Sequence, residues 1–331
     1  MPFIQAIEQF KSVSIVGMAK NTGKTTCLNY AISRLTQRGR KIGLTSVGVD
    51  GEERDILYDI PKPRIVLNDG MVFITSEKDY EQREFPSEIL SVSERLTPLG
   101  CLITARAKGA GRVVLSGPSD SVWLQEMITS MQRFDIEHTL VDGALSRMSL
   151  ASPAVTDAMI LCTGAACSMQ LSTLIDKTKF RCKLIDLELA DSSQKELFFP
   201  LQSGVWAWEQ EWKKIGESVF TLENESDGFL ENLQVVYVSG AVTNRFLMTL
   251  SSKKSHNIEL IVRDFTKLFI EPSTYDKFVR RGGRIKVLQK AKLIGVCSNP
   301  VSPEGGRLDP QMLKERLTEA LGVPVYDLVN G

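Results

Sequence analysis

The sequence predicts an α/β protein: a mostly parallel sheet wrapped by helices on both faces, followed by a smaller C-terminal α/β domain. Three observations carry this expectation. Short apolar runs rich in β-branched residues recur along the chain, as in strands buried on both faces. Between them lie segments whose apolar residues repeat at i, i+3, i+4 and i+7, the stripe of an amphipathic helix. The 331 residues are also enough for about two domains at roughly 150 residues each.

Ser12-Val13-Ser14-Ile15-Val16 reads as the first strand, and a loop with Gly17 and Gly23 follows it. Thr25–Gln37 places Leu28, Ala31, Ile32 and Leu35 on one stripe, and Gly39 suits the left-handed position that ends a helix. Lys41–Gly48 is the next strand, so the chain reads strand–loop–helix–strand, the repeating unit of parallel sheets. Arg64–Leu67 and Met71–Ile74 flank Asn68-Asp69-Gly70, a turn suited to a hairpin. Cys101–Thr104 and Arg112–Ser116 read as strands, Ser121–Arg133 as a helix, and His138–Asp142 as a strand ending in an acid. Ala158–Cys162 and Cys182–Ile185 continue the strand series.

Asp186–Asp227 breaks the pattern; its Trp206, Trp208 and Trp212 fall at a helical spacing and read as packing or an interface. Beyond it Val235–Val238, Ile258–Val262, Ile285–Leu288 and Leu293–Val296 alternate with helical segments, and Asp309–Leu321 is the last helix. The expected organisation is a nucleotide-binding domain over 1–190, a linker or interface segment over 191–230, and the smaller α/β domain over 231–331.

Forty Lys plus Arg balance forty Asp plus Glu. That argues against a general nucleic-acid binder, which gains affinity by releasing counterions from phosphates. No apolar run reaches the roughly 18–20 residues of a membrane span. Met1–Glu8 lacks the basic start and apolar core of a secretory signal, so the expected location is cytoplasmic, with no membrane partner. The six cysteines contain no C-x-x-C pair; Cys27, Cys101, Cys162 and Cys297 lie in apolar stretches and read as buried reduced thiols. Only His138 and His256 are present, neither at zinc-ligand spacing from a partner.

The chemistry concentrates in Gly17-Met18-Ala19-Lys20-Asn21-Thr22-Gly23-Lys24-Thr25-Thr26, between a strand and a helix, the context of a phosphate-binding P-loop. Such a loop turns successive backbone N–H groups toward phosphate oxygens, and the helix N-terminus adds its dipole. Gly23 allows close backbone approach, Lys24 places a charge on the β- and γ-phosphates, and the Thr25 hydroxyl can ligate Mg²⁺. Gly17, Lys20, Asn21, Thr22, Gly23, Lys24, Thr25 and Thr26 are therefore the candidate ATP-binding residues. The pattern G-x-x-x-x-G-K-[ST] puts its first glycine at Met18, one residue after Gly17. Lys20 reads as a second phosphate contact or as a solvated side chain.

Two acids could complete the site. Asp142, before Gly143, suits a Walker B acid holding a Mg²⁺-bound water, or a plain strand-end cap. Asp50, in Val49-Asp50-Gly51, could bind Mg²⁺ or position the attacking water, or serve as a turn residue. The candidate catalytic residues are Lys24, Asp50 and Asp142, and the candidate Mg²⁺ ligands Thr25, Asp142 and Asp50. No N-K-x-D guanine reader is present, which favours ATP; Asn244 and Asn299 could contact a base. Gly48–Asp55 and Ser146–Pro153 are expected to sense the γ-phosphate.

The stretch from the loop through Asp50 resembles the SIMIBI class of P-loop NTPases, which includes dethiobiotin synthetase, MobB and MinD relatives. Ile42–Asp55 (IGLTSVGVDGEERD), Val141–Ser168 (VDGALSRMSLASPAVTDAMILCTGAACS) and Leu293–Gly305 (LIGVCSNPVSPEG) resemble the KamB-type reactivases of adenosylcobalamin-dependent lysine 5,6-aminomutase. That resemblance implies an ATP-driven factor that exchanges damaged cobalamin out of the mutase, with lysine 5,6-aminomutase and a MutS-related subunit as partners. Two other readings stay open: an ATP-dependent ligase or kinase of the dethiobiotin-synthetase kind, and an adaptor that binds nucleotide without hydrolysing it. A homodimer is open as well.

Overall fold

The computed structural model describes residues 3–48, 65–118, 120–144, 155–208, 210–222, 233–252 and 257–327. It divides into two compact units, one of residues 1–179 with 292–331, the other of residues 180–291. The first holds a nine-stranded mixed sheet. Its strands are β1 (Ser12–Gly17), β2 (Ile42–Ser46), β3 (Val72–Ser76), β4 (Ser87–Thr97), β5 (Gly100–Ala107), β6 (His138–Ala144), β7 (Ala158–Gly164), β8 (Leu293–Asn299) and β9 (Val325–Asp327). They lie in the order β9-β8-β7-β1-β6-β2-β3-β5-β4. The run from β9 to β3 is parallel, and β5 and β4 close one edge as an antiparallel hairpin.

The helices begin with α1 (Phe3–Ile7), α2 (Lys24–Gln37), α3 (Glu77–Glu81), α4 (Ser121–Met131) and α5 (Leu171–Ile185). Helices cover both faces because adjacent strand residues point opposite ways. On one face α2 (Lys24–Gln37) buries Cys27, Leu28, Ala31, Ile32 and Leu35 with Ile15, Leu44, Leu140 and Ile160. On the other, α4 (Ser121–Met131) buries Leu124 and Ile128 against Val47 and Val141. Asp120 caps α4, its carboxylate accepting from Trp123 N at 2.8 Å. The same rule places Asp142 with Leu140 on the α2 face.

The second unit holds a six-stranded sheet, in the order Glu188–Leu189, Arg284–Val287, Glu259–Val262, Val235–Val238, Val205–Trp208, Trp212–Gly216. Its first four strands are parallel and the last two antiparallel. Its core gathers Ala190, Phe198, Tyr237, Ile261 and Leu288, with Trp206 and Trp212 packed against them. No helix among the described residues is long and apolar enough to cross a membrane.

Several expectations are corrected. The chain returns to the first sheet after residue 291, so 231–331 is not a separate domain: β8 pairs with β7, and β9 with β8. Residues 191–230 are not a linker, since Val205–Trp208 and Trp212–Gly216 pair as strands of the second sheet. Trp208 and Trp212 face each other across that hairpin at 5.2 Å, so the apparent helical spacing is a strand pair. Cys182–Ile185 is the last turn of α5 (Leu171–Ile185); a short apolar run fits a buried helix end as well as a strand. The Asn68–Gly70 turn forms, with Gly70 at φ 83, but joins strands of different sheets: Ile65–Leu67 pairs with Gly111–Val113, and Val72–Ser76 with β2 and β5.

Backbone hydrogen bonds tie the segment just beyond β2 to residues 117 and 118. Gly117 N donates to Gly48 O, and Gly48 N to Pro118 O, both at 2.9 Å. A Cβ on Gly117 would lie 1.8 Å from Ser46 O, a contact that only backbone displacement relieves. Gly117→Ala is expected to cost about 1–3 kcal/mol, read as a lower urea midpoint with an unchanged slope. An unchanged midpoint would contradict this packing.

Candidate functional site

Open α/β sheets bind ligands beyond the carboxyl ends of their strands, where the chain changes direction across the sheet. Here that point is β1. From β1 the chain crosses through α2 to β2 on one side, while β6 leads to β7 on the other, leaving β1 between β6 and β7. The loop of residues 18–23 leaves the sheet there.

The loop is shaped by its small residues. A Cβ on Gly17 would lie 2.7 Å from Thr22 Oγ1 and 3.1 Å from Ala19 O, so the chain turns on a residue without a side chain. Gly17 thus takes the place that the regular spacing gives to Met18, whose N–H donates instead to Cys162 O of β7 at 2.9 Å. Thr22 is buried and its hydroxyl donates to Ala19 O at 3.0 Å, closing the loop on itself. Asn21 (φ 61) and Gly23 (φ 84) are left-handed, flanking Thr22. Alternation of hand along a backbone makes an anion-binding concavity. Gly23 is the N-cap of α2 and supplies no side-chain hydrogen bond, so the first-turn N–H groups have no side-chain cap.

Lys24 opens α2, and its Nζ lies 3.1 Å from Asp142 Oδ1. That oxygen is buried and has no well-aligned hydrogen-bond donor among the described residues. The ion pair is therefore a charge contact that leaves lone pairs on Asp142 unused. Asp142 pairs in register with Ile15 of β1 and Ser46 of β2, at the centre of the sheet. The adjoining Gly143 packs close, where a Cβ would lie 3.2 Å from Val16 Cγ2.

The structure thus brings Gly17, Asn21, Thr22, Gly23, Lys24 and Thr25 together with Asp142, with Thr25 half-buried in the first turn. Lys20 and Thr26 are exposed. Thr22 is assigned to the loop's own structure by its inward hydroxyl. Asp50, Asp55 and Ser146–Pro153 lie outside the described residues. Asn244 belongs to the second unit, where its side chain accepts from Glu271 N at 2.8 Å.

Sequence reasoning missed the part Asn299 plays. At the carboxyl end of β8, its amide donates to Asn21 O at 3.1 Å, holding the left-handed turn of the loop. The loop at Gly164, at the end of β7, runs against that residue's backbone; a Cβ there would lie 2.1 Å from Asn299 O. The available signal was Ser298-Asn299-Pro300 after an apolar run, a polar residue at a strand end.

Comparison of the chain with protein-family models, with curated proteins and with solved structures finds no match.

Asn299→Ala removes the hydrogen bond to Asn21 O. The expected cost is about 0.5–1.5 kcal/mol, with faster amide hydrogen exchange at residues 19–23 than in the wild type. Unchanged exchange there would show that the loop holds its shape without Asn299.

Proposed function

We propose that the chain is a Mg²⁺-dependent P-loop protein that binds and hydrolyses ATP, and that it serves as a reactivating factor for an adenosylcobalamin-dependent lysine 5,6-aminomutase. The observation that carries the nucleotide reading is Lys24, set at the first residue of α2 beside the uncapped loop and 3.1 Å from Asp142. A lysine so placed puts its charge on transferring phosphates, and the loop N–H groups hold them.

The donor set suits magnesium. Mg²⁺ takes hard oxygen ligands, usually one or two carboxylates with substrate phosphates and water. Asp142 offers an oxygen without a hydrogen-bond donor, and Thr25 a hydroxyl one residue beyond Lys24. Among the described residues no cluster of three or more His, Cys, Asp or Glu forms a metal cage, and this chemistry needs none. The ion, when bound, would neutralise developing phosphate charge. Lys24 then exchanges Asp142 for phosphate oxygens, Lys20 lies on the exposed side as a second contact, and Asp50 is assigned the attacking water.

Support for the physiological role comes from the three segments that resemble KamB-type reactivases, two of which include Asp142 and Asn299. The partners are then the aminomutase and a MutS-related subunit. ATPase activity stimulated by the aminomutase is the expected result, and stimulation by a small carboxylate would favour a ligase or kinase instead.

Lys24→Ala removes a charge-assisted contact of about 1.5–3 kcal/mol and should weaken ATP binding roughly 10- to 150-fold. Titration of the folded variant with a fluorescent ATP analogue and Mg²⁺ reads this; wild-type affinity would sink the assignment. Asp142→Asn should lower turnover while the protein stays folded, because the carboxylate that orients the metal's water is lost.

A further inference from the structure

Three of the six cysteines converge beneath the loop. Cys27 lies one turn into α2, three residues past Lys24. Cys162 of β7 is in register with Gly17 of β1 and with Cys297 of β8. All three are fully buried and unpaired by disulfides. The Sγ atoms of Cys27 and Cys297 are 3.4 Å apart. A disulfide is about 2.0 Å long, so a small approach of α2 to β8 would allow the bond.

The Cys27 thiol donates toward the Cys297 sulfur, and the neighbouring Cys162 and Cys27 thiols hold the Cys297 thiol below its ordinary range. The other three cysteines are held as thiols: burial pushes Cys101 and Cys167 up, and Cys182 up to about 12. Cys27, Cys162 and Cys297 are all buried, so the reaction requires the first turn of α2, which has no side-chain cap, to open locally.

We propose that Cys27 and Cys297 form a redox modification site, joined by a disulfide when the protein meets a peroxide. The Cys297 thiolate attacks one oxygen of hydrogen peroxide, breaking the O–O bond. The other oxygen leaves as hydroxide, becomes water with a proton, and Cys297 becomes a sulfenic acid. The Cys27 sulfur then displaces the sulfenic hydroxyl, which leaves as a second water with the thiol proton. Two thiols lose two electrons and two protons, and one peroxide becomes two waters. The bond draws the start of α2 toward β8. Lys24 is one turn away, and Asn299, two residues past Cys297, holds Asn21 O, so the loop is perturbed from both ends. The site does not depend on the nucleotide reading; if that reading holds, phosphate binding becomes sensitive to oxidation.

The test uses the full chain, reduced with a phosphine, freed of it, and exposed to graded hydrogen peroxide before denaturing alkylation and digestion. The expected product is one linked peptide pair bearing Cys27 and Cys297, reversed by dithiothreitol and formed before Cys101, Cys167 or Cys182 lose alkylation. Hydrogen exchange across residues 20–27 should differ between reduced and oxidised protein. Cys297→Ala should abolish both changes. Cys27 and Cys297 remaining alkylatable while the other cysteines are consumed would overturn the proposal, as would a link that leaves exchange at 20–27 unaltered. The wild-type mapping decides this even where the variant fails to fold. Failure of the reduced protein to bind ATP would count against the nucleotide reading alone.

Discussion

The site depends on one steric constraint: β1 ends at a residue that can carry no side chain. A Cβ at Gly17 would collide with Thr22 Oγ1 and Ala19 O, so the loop folds back on itself directly beyond the sheet. That return sets the first residue of α2 over the neighbouring strand. Because β6 is that neighbour and its residues alternate faces, the acid meeting Lys24 must share the face of Leu140, and Asp142 does. The ion pair is thus a consequence of sheet order and strand period. A partly exposed ion pair of this kind contributes little to stability, since solvent screens it and ordering the lysine side chain costs entropy. Asp142 Oδ1 lies 3.1 Å from Lys24 Nζ without a well-aligned hydrogen-bond donor among the described residues.

The loop is anchored from one flank of β1, the side that carries β7 and β8. Met18 N meets Cys162 O of β7, and from β8, one strand further out, Asn299 reaches Asn21 O. β8 enters the chain only after the whole second unit, residues 180–291. The anchoring residues are therefore far apart in sequence, and pairing β8 with β7 closes a long loop. Such non-local pairing forms slowly in folding. The end of the first unit that carries the loop of residues 18–23 is thus complete only when the last part of the chain has joined the sheet.

Much of this was legible in the sequence, where local signals and tertiary context agree. Ser12–Val16, the stripe of Leu28, Ala31, Ile32 and Leu35, and the HTLVD strand each became the element expected. The misses have separate causes. The β4–β5 hairpin was unread because β4 is an edge strand with Ile89, Val92 and Leu96 exposed, so burial does not enforce a clean alternation. The insertion was unread because residues 180–291 and 293–299 carry the same strand–helix signals, and strand order is not written in them. Gly17 looked one residue early because a motif spacing cannot register the inward turn of Thr22. The Asn299–Asn21 and Cys27–Cys297 contacts come from tertiary placement, where sheet order sets β8 beside the loop and beside α2.

The central claim is that the loop from Gly17 to Thr26 holds the phosphates of ATP with Mg²⁺. Calorimetric titration of the wild-type chain with ATP and with adenosine, each with Mg²⁺ and with EDTA, tests it most directly. Saturable ATP binding that weakens in EDTA, with adenosine binding far more weakly, is the expected result. Equal binding of adenosine and ATP, or no binding of ATP with Mg²⁺ present, would contradict it.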